Sequence, residues 1–255
     1  MTTNDDTVLR AEKLSKKFGS VVGLDDVDLE LSRGEVLAII GDNGAGKSTL
    51  INCLSGALVP DRGKIFVDGE EVAFRRPPDA QQHGIETVYQ SLAVVPALDI
   101  ARNMYLGREE RLPGWRGSIL RMVDRKGMTA RAKNQVDALG IRTIQDMTTA
   151  VEKLSGGQRQ AVAVARAAAF SSKVVILDEP TAALGVRESG QVLDTIKRLR
   201  DEGLGVILIS HNMPHVWELA DRIQVQRLAK RLGVITPSSH SMTDGVALMT
   251  GAAEL

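Results

Sequence analysis

The chain has 255 residues with 32 basic against 32 acidic side chains, so its formal net charge is zero. That balance excludes a global field that would draw the chain to nucleic acid or to an anionic membrane, and the length allows a sizeable core in one large or two small domains. Cys53 is the single cysteine, which excludes an internal disulfide and a four-cysteine zinc site and reads as a small buried apolar residue.

Residues 1–6 are polar and acidic with no apolar run behind them, which argues against a secretory signal. No apolar run reaches the ~18 residues a spanning helix needs; Arg166 and Lys173 interrupt even the richest stretch. A soluble, cytoplasmic chain is expected.

Residues 8–14 and 27–31 carry alternating or apolar runs that read as strands. Val36-Leu37-Ala38-Ile39-Ile40 reads as a further strand. Behind it, Gly41-Asp42-Asn43-Gly44-Ala45-Gly46-Lys47-Ser48-Thr49 fits G-x-x-x-x-G-K-[ST], with a helix expected over residues 48–58. Gly41, Gly44 and Gly46 let the backbone wrap closely around phosphates. The N–H groups of the loop and helix start then point at the anion. Lys47 is placed to reach the β- and γ-phosphates and Ser48 to ligate Mg²⁺. The loop specifies a nucleoside triphosphate and leaves open what its energy drives.

Ile65-Phe66-Val67, then Asp68-Gly69, then residues 70–74 is a hairpin signal, because Asp-Gly suits a tight primed turn. Residues 92–159 turn helical and irregular, punctuated by Pro96, Pro113 and Gly114. Leu154-Ser155-Gly156-Gly157-Gln158 precedes an Ala-rich helix over 159–170. Ser155 can cap it, and the two glycines expose N–H groups at a helix start, a second anion site. One nucleotide hardly needs two such sites from one chain: either there are two nucleotides, or the second site serves a neighbouring subunit.

Val174-Val175-Ile176-Leu177 is a strand that ends in Asp178-Glu179. Ligands in α/β sheets bind beyond the carboxyl ends of strands. Asp178 is therefore placed to hold Mg²⁺, directly or through water, and Glu179 to orient or deprotonate an attacking water. Val192, Leu193, Ile196 and Leu199 make a helical stripe with Gly203 as its C-cap, and residues 206–209 are another strand. Strands alternating with helices imply a mostly parallel α/β sheet. Trp217, with Val216 and Leu219, is expected to pack the helix after His211. His83, His215 and His240 show no metal-ligand spacing and read as structural or exposed.

Residues 154–158 resemble the signature motif of the ATP-binding cassette (ABC) family. That family carries, in order, a phosphate loop, a glutamine loop, the signature, an Asp-Glu strand and a switch histidine. The chain supplies Gln90 in Val88-Tyr89-Gln90 and His211 in Ile209-Ser210-His211 at the remaining stations. The resemblance spans roughly residues 8 to 230. It implies a single α/β ABC ATPase domain: a RecA-like P-loop core with an N-terminal antiparallel β-subdomain (1–91 and 162–232), an inserted α-helical subdomain (92–161) and a C-terminal tail (233–255). It also implies roles. Gln90 would touch Mg²⁺ or the attacking water and sense the transport partner. His211 would contact the γ-phosphate and link it to Glu179. Phe18, in Lys16-Lys17-Phe18-Gly19, matches the aromatic that stacks on adenine. Asn43, Ala45 and Thr49 belong to the phosphate loop. Ser155, Gly156, Gly157 and Gln158 would meet the ATP held by an opposite subunit, in a head-to-tail pair. At one point the chain departs from the pattern: Ala182-Ala183-Leu184-Gly185 stands where the family often has Ser-Ala-Leu-Asp, and Gly185 carries no carboxylate for a cross-dimer contact.

Residues 41–46 and 103–109 resemble the cassettes of ribose, xylose or fructose importers, whose subunits usually carry two tandem cassettes, and residues 181–185 and Met249-Thr250-Gly251 resemble the single-cassette fructose-type subunits. This likeness implies ATP and Mg²⁺ as cofactors and a homodimer or paired cassette. It implies integral membrane permease subunits, and indirectly a periplasmic sugar-binding protein, as partners. It places the chain peripherally at the cytoplasmic face of a bacterial inner membrane, without nucleic acid. The alternatives are a soluble cassette acting on nucleic acid and an importer of another solute. From Arg108 to Lys133 there are eight basic residues and three acids, net +5, in the region expected to face the membrane. This stretch suits lipid headgroups or acidic permease loops, or is a solvated helical face.

Overall fold

Two sheets organise the chain in a computed structural model that describes residues 6–182 and 184–253. Residues 1–5, Ala183 and the last two residues lie outside the described residues, and with them most of the acidic N-terminus and one position of the 182–185 motif. The first sheet is antiparallel, in the order β2-β1-β4-β5: β1 (Thr7–Phe18), β2 (Val21–Ser32), β4 (Arg62–Val67) and β5 (Glu70–Val72). β1 and β2 run well past the apolar runs seen in the sequence. Register shifts break the alternation on β1, and Lys13 and Asp26 both take a φ of 50° beside them. Local bonds hold the irregular stretch: Lys13 N donates to Asp28 Oδ1 (2.8 Å) and Ser15 Oγ to Asp26 Oδ1 (2.9 Å). The Asp68-Gly69 turn forms as its residues dictate, with φ of 50° and 81°, and pairs Val67 with Glu70. β5 stops at Val72, and Phe74 instead buries its ring beside His83.

The second sheet has the order β10-β9-β3-β8-β7-β6. β3 (Val36–Ile40), β6 (Ile85–Val88), β7 (Val174–Asp178), β8 (Gly205–Ile209) and β9 (Arg222–Arg227) are parallel, and β10 (Lys230–Ile235) is an antiparallel edge. β3 and β8 are buried along their whole length and β7 all but its last residue, as uninterrupted apolar runs covered on both faces should be. α1 (Lys47–Leu54) follows β3 and is shorter than expected, because Ser55 closes it and the chain turns away at Gly56, φ 74°. α2 (Pro77–Gln82) leads into β6. α7 (Val186–Asp201) buries Val192, Leu193, Ile196 and Leu199, and Gly203 follows its end with φ 90°. After α8 (Met213–Leu219), the hairpin β9–β10 was not foreseen. Nor was its cover, α9 (Met242–Thr250), which with the end of β10 makes up much of the stretch expected as a tail. Trp217 joins α8 to α9: its Nε1 donates to His240 O (3.0 Å) and its ring lies against Gly245.

The helical arm comprises α3 (Ile100–Met104), α4 (Trp115–Ser118), α5 (Arg125–Ala138) and the start of α6 (Gly156–Phe170). Its core residues Met104, Tyr105, Met128 and Val136 are continuous with Val175 and Leu177 of the sheet. Asn103 is fully buried and holds the loop before it, accepting from Val95 N (2.7 Å) and donating to the carbonyls of Val95, Leu98 and Asp99. Arg108 turns inward to Glu86 (2.5 Å) and stacks over Phe170, so its charge is compensated within the chain. No helix among the described residues is long and apolar enough to cross a membrane.

Candidate nucleotide site

Four adjacent parallel strands deliver four of the sequence-predicted stations to one edge of the sheet. In spatial order, β3 leads into the phosphate loop, β8 into Ser210-His211, β7 ends at Asp178 and passes to Glu179, and β6 leads to Tyr89-Gln90. The register aligns them. Ile39 pairs with Ile209, Ile209 with Asp178, and Leu177 with Val88. Neighbouring strands are about 4.8 Å apart, so residues far apart in the chain meet within one triphosphate's reach.

The phosphate loop is shaped by its glycines. Gly46 is the N-cap of α1 with φ 98° and no side-chain cap. A Cβ there would come within 2.5 Å of the Gly23 carbonyl, so both the conformation and the space demand glycine. The N–H groups of the first turn are thus left for an anion. Lys47 folds over the loop and donates from Nζ to Gly41 O (2.6 Å) and Asp42 O (3.0 Å). Burial lowers its pKa, and Glu179, Asp42 and Asp178 oppose that shift. Asn43, Gly44 and Ser48 are exposed, Thr49 is half-buried and Ala45 is packed inside. Phe18 stands at the tip of the β1–β2 hairpin, 48 % exposed, and its ring and Thr49 Cγ2 together enclose the space over Gly23. The aromatic therefore borders the phosphate loop.

Glu179 follows β7 in a left-handed conformation, φ 51°, fixed by its N–H donating to Ile209 O (2.9 Å). Such a conformation is unfavourable for a residue with a Cβ and gathers at functional sites. Its Oε1 lies 3.3 Å from His211 Nε2, but is buried without a hydrogen-bond partner among the described residues. Burial raises the Glu179 carboxyl pKa, with His211 acting against it; burial raises Asp178 likewise, against Lys47 and His211. The result is a desolvated carboxylate aimed at the phosphate side of the sheet, a group that can take a hydrogen bond or a proton from water. Gln90 is exposed just beyond β6. Below it, a cavity of about 90 Å³ is lined by Gln81, Glu86, Tyr89 and Arg166 among others.

The chain belongs to the ABC transporter family. The family's profile matches residues 24–182, from β2 to the residues after Glu179. The chain is 58 % identical over 247 residues to the fructose import ATP-binding protein FrcA of Rhizobium meliloti, covering 97 % of this chain and 95 % of that one. It is 48 % identical over 218 residues to the xylose/arabinose import ATP-binding protein XylG of Sulfolobus acidocaldarius, covering 86 % and 84 %. With the ribose import ATP-binding protein RbsA 1 of Streptomyces avermitilis it shares 39 % over 249 residues, 98 % of this chain but 46 % of that longer protein. A nucleotide-free ATP-binding cassette from an ABC transporter superposes with a TM-score of 0.80 over 94 % of both chains, at 23 % identity, and shares the fold. This cassette is an ABC transporter ATPase, and the mixed α/β architecture with antiparallel and parallel sheets is the cassette fold.

The signature residues do not join the other stations within this cassette. Ser155 caps α6: its Oγ accepts from Gln158 N (3.2 Å), while Gln158 Oε1 accepts from Ser155 N (2.9 Å). α6 thus starts at Gly156, earlier than the expected 159. Gln158 also donates from Nε2 to Thr143 O (2.9 Å). No hydrogen bond or ion pair links residues 155–158 to residues 41–49 among the described residues.

Two contacts at this edge carry no signal in the sequence. Thr181 Oγ1 lies 3.1 Å from His215 Nδ1, tying the loop after Glu179 to the helix after His211. The Glu188 side chain of α7 packs over Gly157 and Gly185, where added Cβ atoms would meet it at 2.6 Å and 2.5 Å. A carboxylate therefore lies beside Gly185 although that residue carries none.

Proposed function

We propose that this cassette is the ATP-hydrolysing subunit of a bacterial monosaccharide importer, working in a head-to-tail pair beneath integral membrane permease subunits. The ATPase assignment rests most on one observation, the unpartnered Glu179 carboxylate oxygen 3.3 Å from His211 beside Lys47. The sugar assignment rests on relatives named for fructose, xylose/arabinose and ribose import, the first aligned over nearly the whole chain.

In this reading the β- and γ-phosphates seat on the N–H groups of residues 41–49 with Lys47 across them, and Phe18 faces the adenine. Glu179 accepts a proton from the attacking water, whose oxygen enters in line with the leaving β-phosphate oxygen. His211 donates to a γ-phosphate oxygen and keeps its other contact to Glu179. The donors suit Mg²⁺. Among the described residues no cluster of three His, Cys, Asp or Glu exists to cage a metal, whereas exposed Ser48 and half-buried Asp178 offer hard oxygens of the kind that share Mg²⁺ with phosphates and water. When bound there, Mg²⁺ would neutralise charge on the β- and γ-oxygens. Ser155, Gly156 and Gly157 of the second cassette, steadied by Gln158, would complete the γ-phosphate's hydrogen bonds. The missing link between residues 155–158 and 41–49 within one chain supports that pairing.

The chain would act as one ABC domain, with residues 92–161 as the arm that meets the permease. Gln90, next to the cavity-lining Tyr89, would sense permease movement. The chain would sit peripherally at the cytoplasmic face of the inner membrane, and a periplasmic sugar-binding protein would supply cargo. The test is co-purification from membranes, then ATPase assays with and without binding protein loaded with fructose, xylose or ribose. Stimulation by one loaded binding protein is expected. An absence of any membrane partner, with turnover indifferent to sugar, would overturn the importer reading.

A further inference from the structure

Between Glu110 and Asp124 the chain leaves the helical arm as a closed loop. Its base is zipped by Leu112 N to Met122 O (2.9 Å), Asp124 N to Glu110 O (2.8 Å) and an antiparallel bridge between Arg111 and Val123. Arg131 of α5 pairs with both Glu110 and Asp124 and pins that base to the arm. The tip is folded rather than loose. α4 turns it, Met122 N donates to Arg116 O (3.1 Å), and Gly117 is buried against the Leu112 carbonyl, with no room for a side chain.

This construction sorts the charges of the 108–133 stretch. Arg108, Arg131 and Lys133 are paired within the chain. Glu110 and Asp124 are neutralised at the base, and Glu109 turns back to accept from Gly107 N (3.1 Å). From residue 111 to 123 there is no acid at all. Arg111, Arg116 and Arg121 are exposed there, and none has a carboxylate partner among the described residues. The same tip holds Trp115 at 61 % exposure, Ile119 at 73 % and Leu120 at 54 %, with Met122 and Val123 beside them. Apolar side chains more than half exposed stand out from a surface; they do not line a groove that a folded partner could fill. A protruding tryptophan and aliphatic cluster with arginines of one sign around it fits a deformable, anionic, apolar-backed surface. Tryptophan settles at the headgroup level, aliphatic chains reach the acyl boundary and arginines meet phosphates.

We propose that residues 111–123 form an interfacial anchor that seats Trp115, Ile119 and Leu120 in an anionic lipid surface. The chain as a whole has no net charge to bind such a surface, so the affinity resides in this loop.

The chain's two tryptophans can be told apart, since Trp217 is half-buried and fixed by its bond to His240 O and its packing on Gly245, whereas Trp115 is exposed. The 255-residue chain is mixed with vesicles of phosphatidylcholine, with or without phosphatidylglycerol, some carrying brominated acyl chains. The anionic vesicles should blue-shift the emission and the brominated ones quench it, both effects vanishing in Trp115→Phe and fading at high salt. Replacing Arg111, Arg116 and Arg121 by Gln should weaken vesicle binding about fivefold each, roughly 100-fold together, with ATP hydrolysis unchanged. Unaltered emission of the wild-type protein on anionic vesicles would overturn the proposal, with no need for any variant to fold. So would binding that appears only when permease is reconstituted in the vesicles, which would reassign the loop to a protein partner.

Discussion

The phosphate loop and the signature loop are both glycine-bearing helix starts, and they are finished differently. α1 begins at Gly46 with no side-chain cap, and Lys47 lies across the loop on the carbonyls of Gly41 and Asp42. α6 begins at Ser155 with a complete capping box, and Gln158 is further tied to Thr143. The first has no side-chain cap over its opening turn and brings its own cation, an arrangement suited to an anion held within one chain. The second is capped by its own side chains, and under the proposed function its glycine N–H groups would meet an anion delivered by another body. Damage to the first should therefore abolish binding or chemistry in the isolated chain, whereas damage to the second should spare nucleotide binding and lower turnover.

Glu179→Gln should have the largest effect, cutting turnover by about 10²- to 10⁴-fold while ATP still drives pairing; rapid-mixing hydrolysis and light scattering would measure both. An unaltered rate would remove Glu179 from the chemistry. Lys47→Ala removes a charged donor worth about 1.5–3 kcal/mol, so ATP affinity of the isolated chain should drop roughly ten- to a hundredfold by calorimetry. Gly157→Ala forces a Cβ into Glu188. A loss of about 1–3 kcal/mol from overpacking is expected, partly restored by adding Glu188→Ala, with nucleotide affinity unmoved. A fall in affinity would break the contrast between the two loops. Ser155→Ala should cost about 1 kcal/mol of stability through the lost cap, seen as a lower Tm.

The smallest effect concerns pH. The folded Glu179 holds its proton above the ordinary 4.5. Between those two values the folded state binds more protons than the unfolded one, so stability falls as pH rises through that window. Glu179→Gln should flatten this slope and raise Tm at neutral pH. Turnover of the native protein should fall as pH drops through the raised value, because the base is then protonated.

Legibility in the sequence followed the range of the interaction. The Asp68-Gly69 hairpin was readable because its turn residues favour positive φ. The β9–β10 hairpin was not, although Ile223 and Val225 alternate with polar neighbours. Its turn is Leu228-Ala229, both with positive φ (49° and 65°), and Leu228 is 78 % exposed. That conformation is held from outside, by Asp25 N donating to Ala229 O (2.8 Å) and Lys230 pairing with Asp25. At the site, Lys47, Asp178, Glu179 and His211 were named from motifs and do meet at the ends of β3, β7 and β8. Thr181–His215 and the Glu188 contact were not readable, since neither residue type announces a partner 34 residues away or a glycine on another helix.

By itself the sequence determined the pieces whose geometry is local: the glycine loop and helix behind β3, the capped start of α6, the Asp-Gly turn and the apolar strands. Their φ preferences, caps and periodicity act within a few residues. Only the tertiary structure decided the strand order that sets four loops on one edge, the inward turn of Arg108, the pairing of Arg131 with Glu110 and Asp124, and the cationic apolar loop left outside. Those depend on which distant groups compete for the same carboxylate or the same buried face, and no local pattern encodes that competition.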